Sequence, residues 1–146
     1  MKKLLLILLL TPTLIQAEEF NLVCEGERLY FDSTKSESIT PKTITVKVKE
    51  ESIKIDKVNY SDTNFEGEIS KIEMNYIKYD DLIRVFSDVT DTPTKKNCRN
   101  MTYTAEIDRV SGVIKTESRL ADECMDRKDF THVIYEGKCK KQKGNA

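Results

Sequence analysis

The stretch that decides the fold runs from residue 101 to residue 120 and reads MTYTAEIDRVSGVIKTESRL. Its first eight residues alternate, with Met101, Tyr103, Ala105 and Ile107 separated by polar residues. Residues 109–112 interrupt the alternation, which resumes from residue 114 to residue 120. A period of two is typical of a strand with one buried face. We therefore predict two antiparallel strands joined by a turn in which Gly112 can adopt a positive φ.

The register of this hairpin can be tested on the sequence itself. If Ile107 lies opposite Ile114, then Met101 lies opposite Leu120, and every inward residue of one strand meets an inward residue of the other. Cys98 and Cys124 lie beyond the two strand ends and are one residue out of this register. A bulge would absorb that slip.

The chain on either side repeats the alternation in other segments. We expect loops over residues 32–38, 61–68 and 87–97, where polar residues accumulate. A β-bulge is expected near Asp56 and Lys57, because the apolar parity changes after Ile55. The predicted inward residues of these further strands are Phe20, Leu22, Cys24, Ile44, Val46, Val48, Ile53, Ile55, Ile72, Met74, Tyr76, Thr131, Val133 and Tyr135.

The predicted fold class is all-β, because no segment keeps a helical period. We expect a single-domain antiparallel meander of about eight strands. A meander hides its edges best by closing, so a closed or nearly closed small barrel is favoured, and a two-sheet β-sandwich is the alternative. Closure places the first strand beside the last, which brings Cys24 near Cys139 with both on the inward parity.

The first 17 residues have the layout of a secretory signal peptide. Lys2 and Lys3 precede an apolar run over residues 4–10, and Ala17 supplies a small residue at the expected cleavage site. The run is too short to span a bilayer, which takes roughly 20 residues. We expect export of a single β domain over residues 18–146, to the periplasm or the medium if the source is bacterial.

Cysteine usage agrees with an oxidising compartment. The chain has 4 cysteines and lacks a CxxC pair, which favours two disulfides over a redox or zinc site. Three connectivities are possible. The strand arrangement favours the nested one, which pairs Cys24 with Cys139 and Cys98 with Cys124.

Charge argues against a nucleic-acid partner. Without Lys2 and Lys3 the chain has 22 basic and 25 acidic residues, a net charge of −3, and the two signs are interspersed. A short basic C-terminal tail over residues 140–146, with Lys138 just before it, is the exception. We interpret it as a solvated terminus, with weak contact to an anionic surface as the alternative.

The sequence holds few candidates for catalysis. His132 is the only histidine, and its parity is opposite to that of Val133 and Tyr135, which predicts an outward side chain. No Gly-rich phosphate loop, nucleophile elbow or EF-hand pattern occurs. We interpret the acidic clusters as turn residues rather than as metal ligands or an acid–base pair. Those clusters comprise Asp80, Asp81, Asp88, Asp91, Asp122, Glu123 and Asp126.

The aromatic residues suggest a different kind of site, a ligand cavity inside the barrel. A barrel of about eight strands can just hold one small ligand, although the same rings can equally fill the interior. Inward polar residues such as Thr116 and Ser118 favour a cavity. The aromatic residues of the exported part are Phe20, Tyr30, Phe31, Tyr60, Phe65, Tyr76, Tyr79, Phe86, Tyr103, Phe130 and Tyr135.

Three short stretches resemble many small exported bacterial proteins of unassigned function. They are Phe20–Cys24 after the leader, Ile107–Gly112, and an ending Tyr135–Cys139 of the form Tyr-x-Gly-x-Cys. The resemblance implies secretion and a disulfide-tied β fold, and it carries no functional residues.

The sequence therefore predicts a secreted or periplasmic binding protein without catalysis and without a cofactor. Its partner would be a small apolar ligand or a protein, such as an envelope component or a hostile lysozyme or toxin. A structural or interaction module of the cell envelope, anchored by the basic tail, is the alternative. A carboxylate-dependent hydrolase is the remote third reading, because no motif with the required geometry is visible.

Overall fold

A computed structural model describes residues 19–32, 37–67, 70–91, 100–120 and 130–143 of the chain. Ten antiparallel strands form a single sheet, and none of these residues lies in a helix. The strands are β1 (Phe20–Asp32), β2 (Glu37–Val48), β3 (Ser52–Ile55), β4 (Val58–Ser61), β5 (Thr63–Glu66), β6 (Ser70–Lys78), β7 (Leu82–Asp91), β8 (Met101–Asp108), β9 (Val113–Leu120) and β10 (Phe130–Lys141).

The sheet order β4-β3-β2-β1-β10-β9-β8-β7-β6-β5 is a meander in which the first and last strands are neighbours. Its two edges, β4 and β5, follow one another in the chain and are joined through Asp62 alone. The sheet curls until these edges meet, which gives a nearly closed barrel. The all-β prediction is confirmed, with ten strands where about eight were expected.

Side chains join β6 to the β4–β5 connection and to the turn between β2 and β3. The Tyr76 amide donates to Oδ1 of Asp62 at 2.8 Å, so a carboxylate takes the place of a strand carbonyl. The Tyr76 hydroxyl donates to the Lys49 carbonyl at 2.8 Å, and Nζ of Lys78 lies 2.7 Å from Oε2 of Glu50. These contacts satisfy edge groups that would otherwise be free to pair with another chain.

Four local predictions differ from the structure. The expected loop over 32–38 is shorter, because β1 continues to Asp32 and β2 begins at Glu37. Asp56 and Lys57 form the two-residue turn of the β3–β4 hairpin rather than a bulge, with Ile55 opposite Val58 and a φ of 54° at Asp56. An aspartate tolerates that left-handed backbone better than most residues. The expected loop over 61–68 contains β5, and β7 continues to residue 91, because pairing with β6 extends both strands beyond their apolar segments.

The β8–β9 hairpin has the predicted register, with Ile107 opposite Ile114 and Met101 opposite Leu120. Gly112 has a φ of 71° in the turn, as expected. Oδ1 of Asp108 accepts hydrogen bonds from the amides of Val110 and Ser111 at 2.8 and 2.9 Å. The bonds from Ser111, followed by that from Val110, hold the pKa of the Asp108 carboxyl below its usual value.

The neighbouring first and last strands bring Cys24 directly opposite Cys139, and the two form a disulfide. The same ladder pairs Lys140 with Val23 and Lys141 with Leu22. Lys140 and Lys141 therefore belong to strand β10, so the backbone at the start of the predicted tail is paired with β1. Backbone pairing with β1 orders these lysines although their side chains are exposed.

The apolar core is concentrated near the turns at residues 49–51, 79–81 and 109–112. We call this region the packed end. Each of its central side chains adjoins one of these turns and is at most 1% exposed: Val48, Ile53, Ile83, Ile107 and Ile114. Toward the opposite ends of the strands, the inward side chains are less buried, and polar ones such as Arg28, Thr116 and Ser118 lie among apolar ones.

Candidate ligand site inside the barrel

The inward face of β1 continues from Cys24 through Gly26 to Arg28 and Tyr30, because the strand has no bulge before Phe31. A long cationic side chain therefore points into the barrel and is half-buried there. Nη1 of Arg28 donates to the Tyr30 hydroxyl at 3.2 Å, and the guanidinium carbon lies 5.9 Å from the centre of the Tyr30 ring.

Two further tyrosines meet inside the barrel. Tyr60 of β4 and Tyr103 of β8 stack with ring centres 4.9 Å apart and planes 7° from parallel. Burial raises the pKa of Tyr60 to about 12, and burial together with the neighbouring Tyr60 raises the pKa of Tyr103. The Tyr103 hydroxyl also forms a hydrogen bond with the Thr116 side chain. Both phenols are neutral near pH 7, and their hydroxyls hydrogen-bond to one another.

Tyr135 forms the floor of this region and is 1% exposed. Its hydroxyl donates to the Cys24 carbonyl at 2.9 Å and lies 3.3 Å from the Lys42 carbonyl. Gly137 makes this ring position possible, since a Cβ at residue 137 would overlap the Tyr135 hydroxyl. The paired Gly26 has no room for a Cβ either, because it would overlap the Glu136 carbonyl.

These inward residues form the arginine–tyrosine cluster, which comprises Arg28, Tyr30, Tyr60, Tyr103, Thr116 and Tyr135. Its only formal charge is the guanidinium, and no carboxylate of the described residues forms an ion pair with it. Burial raises the pKa of both Tyr103 and Tyr135. The positive charge of Arg28 offsets part of that rise. A half-buried cation without a counter-charge is costly unless an anion approaches it.

The sequence pointed to only part of this cluster. The expected inward positions of Thr116, Ser118 and Tyr103 are confirmed by their pairing in the sheet. Arg28 was missed, although its number has the same parity as Phe20, Leu22 and Cys24. The signal in the sequence was an arginine at a position whose parity predicts an inward side chain. The aromatic residues outside the cluster differ in burial. Tyr76 and Phe20 are buried, whereas Phe65, Tyr79 and Phe86 are exposed.

His132 lies on the outer surface, as its parity predicts. Its Nε2 is 2.8 Å from Oε1 of Glu117, and its ring stacks on Phe31 with centres 5.2 Å apart. Partial burial alone would raise the pKa of Glu117, but hydrogen bonds from Arg119 and His132 outweigh it and lower that pKa. The structure thus gives the histidine a carboxylate partner, and among the described residues no serine, threonine or cysteine is hydrogen-bonded to the ring.

The other predicted sites are dispersed or lie outside the described residues. Asp80 and Asp81 occupy the turn between β6 and β7, whereas Asp88 lies within β7 and Asp91 ends it. No cluster able to hold a metal ion occurs in the described ranges. The nested cysteine pairing is confirmed for Cys24–Cys139. Three acidic residues and the second cysteine pair lie outside the described residues: Asp122, Glu123, Asp126, Cys98 and Cys124.

Comparisons with known proteins add nothing to this geometry. No family model matches the chain, and neither the curated proteins nor the solved structures include a significant match. Within the described ranges, no helix is long and apolar enough to cross a membrane.

Proposed function

We propose that this chain is an exported, non-catalytic binding protein that holds a small ligand inside its barrel, at the arginine–tyrosine cluster. Arg28 carries the proposal. It is a half-buried guanidinium that faces the interior and has no carboxylate partner among the described residues. The signal-peptide pattern and a disulfide suited to an oxidising compartment support export.

The chemistry of the cluster suggests what the ligand contains. A guanidinium can bind a carboxylate or phosphate through two parallel hydrogen bonds, and neutral phenols can donate further ones. The stacked rings of Tyr60 and Tyr103 offer flat apolar surface beside that charge. We therefore propose a small molecule with an acidic group and an apolar body, rather than the wholly apolar ligand that the sequence suggested.

Native mass spectrometry tests this proposal on protein purified from its own host. The wild type should carry a small added mass that disappears on denaturation, and Arg28→Gln should lack it. Octanoate and 1-octanol then serve as defined probes with the same alkyl chain. Octanoate should bind the wild type after ligand removal, at least tenfold more tightly than 1-octanol, because only the acid can pair with Arg28.

Lys47→Gln is the matched control, since it removes one positive charge from an exposed side chain on the outer parity of β2. It should bind octanoate as the wild type does, whereas Arg28→Gln should lose the preference for the acid. A wild type that carries no added mass and binds neither probe would reject the proposal. Equal binding by both variants would remove Arg28 from the site.

A further inference from the structure

The outer face of β7–β10 carries two rows of side chains that run across the strands. The register aligns Arg84, Glu106, Lys115 and Glu136 in one row, whose charges alternate plus, minus, plus, minus. The adjacent row consists of Phe86, Thr104, Glu117 and Ile134. Seven of these eight residues, all but Glu136, line a groove of about 530 Å³ on this face.

The groove is more apolar than the outside of a small barrel requires. Phe86 is 39% exposed and Ile77, which also lines the groove, is 43% exposed. These two side chains lie on the paired strands β7 and β6, so their exposed apolar surfaces are close together. The charges beside it already pair within the chain, with Arg84 3.0 Å from Glu106 and Lys115 3.6 Å from Glu136. All four charged side chains remain at least half exposed, so each can contact a second molecule.

The charged row is complementary to a copy of itself that runs in the opposite direction, because each position then meets the opposite charge. A two-fold axis that lies parallel to the strands, between β8 and β9, brings Arg84 against Glu136 of a second copy. The same axis brings Glu106 against Lys115. Each positive residue thus meets a negative one, which is the self-complementarity that an isologous contact needs.

The adjacent row obeys the same operation. The axis that pairs the charges places Phe86 against Ile134 of the second copy, so the largest exposed ring of the groove meets an aliphatic side chain. One row further along, Asp88 comes to His132 and Thr102 comes to Arg119, according to the same register. Under this single axis the charged row is complementary throughout, and each of the two adjacent rows contributes one matched pair, Phe86 with Ile134 and Asp88 with His132.

We propose that the outer face of β7–β10 is a homodimer interface with this two-fold axis. Apolar contact between Phe86 and Ile134 supplies the attraction, and the charged row fixes the alignment of the two copies. Exposed ion pairs contribute little each, so the dimer should be weak and depend on protein concentration and salt. The proposal is independent of the ligand site, which lies on the inner face.

Sedimentation of two charge-uniform variants provides the test. Glu106→Lys with Glu136→Lys makes the row wholly positive, and Arg84→Glu with Lys115→Glu makes it wholly negative. The wild type should dimerise as concentration rises, and each variant alone should stay monomeric. An equimolar mixture should form a heterodimer, because the positive row of one variant faces the negative row of the other.

Lys47→Glu with Lys54→Glu is the matched control, because it makes the same change of charge at two paired, exposed positions of β2 and β3. It should dimerise as the wild type does, and circular dichroism should report an unchanged sheet in all variants. A wild type that remains monomeric at millimolar concentration overturns the proposal and leaves this face to a different partner. Dimers of either charge-uniform variant, or a mixture without heterodimers, also overturn it.

Discussion

The packed end and the arginine–tyrosine cluster lie on the same inner face but are built from different chemistry. At the packed end, isoleucine and valine side chains adjoin tight turns and are almost completely buried. In the cluster, a guanidinium and phenols line the interior, and several of them remain half-exposed. The difference separates two tasks, because the packed end stabilises the barrel while the cluster keeps polar groups accessible.

Strand β9 contains this contrast within eight residues. Ile114 is fully buried at the packed end, and Thr116, Ser118 and Leu120 follow on the same inward face with partial exposure. Burial therefore changes along a strand even where the direction of the side chains does not. Substitutions on β9 and across the neighbouring pairs can measure how sharply the two regions differ.

Ile114→Ala and Leu120→Ala form the first test and should give the largest difference. Ile114→Ala should lower the free energy of unfolding by about 2–5 kcal/mol, the range for removing a buried aliphatic side chain. Leu120→Ala should cost less than half as much, because the Leu120 side chain already contacts solvent. Urea denaturation of both variants checks this, and equal losses would remove the distinction between the two regions.

Removing the Cys24–Cys139 disulfide should have the next largest effect. The bond joins residues 115 apart in sequence and lies beside the packed end, with Cys24 fully buried. Cys24→Ala with Cys139→Ala should lower the free energy of unfolding by about 2–4 kcal/mol, mainly by releasing the unfolded chain. Thermal unfolding with and without reductant measures the effect. An unchanged midpoint would show that β1–β10 pairing alone holds this region.

Tyrosine ionisation gives the smallest and most local test. The pKa of Tyr60 is raised to about 12 by burial, and that of Tyr103 is raised by burial and by Tyr60. Because the folded pKa exceeds the unfolded value of about 10, the associated stability is complete below pH 10. It should be lost as the pH rises from about 10 through 12.

Ultraviolet titration of tyrosinate checks this sign. The wild type should show several late-titrating tyrosines, because burial also raises the pKa of Tyr76 to about 12. Tyr103→Phe should reduce their number by one, while Tyr79→Phe, at an exposed position, should leave that number unchanged. A single transition near pH 10 for all tyrosines would mean that the cluster tyrosines are as accessible to solvent as those on the surface. The contrast with the packed end would then be larger than the structure indicates.

Much of the fold was predictable because alternation reports directly on burial of one sheet face. The β8–β9 register followed from matching inward residues, and the meander placed Cys24 beside Cys139. Strand β5 was not predictable, because Thr63–Glu66 is wholly exposed and pairs only through its backbone with β6. The turn at Asp56 was mistaken for a bulge, because both features change whether the odd-numbered or the even-numbered residues face inward.

The candidate site was less accessible to sequence reasoning for a related reason. Parity places Arg28 on the inner face, but it does not say whether an inward residue is packed or accessible. Only the pairing of β1 with β10, and the position of β8 relative to β4, brings Arg28, Tyr60 and Tyr103 into one cluster. Those residues lie far apart in the chain, and no local pattern links them.

The sequence by itself determined the strand periodicity, the hairpin turn and the inward side of most strands, because these depend on neighbouring residues. The tertiary structure alone decided where the barrel meets its own edge and which inward positions remain half-exposed. It also decided which charges align across four strands of the outer face. The first two depend on the curvature of the whole sheet, which sums small contributions from every strand pair, and the third depends on the register of three successive strand pairs.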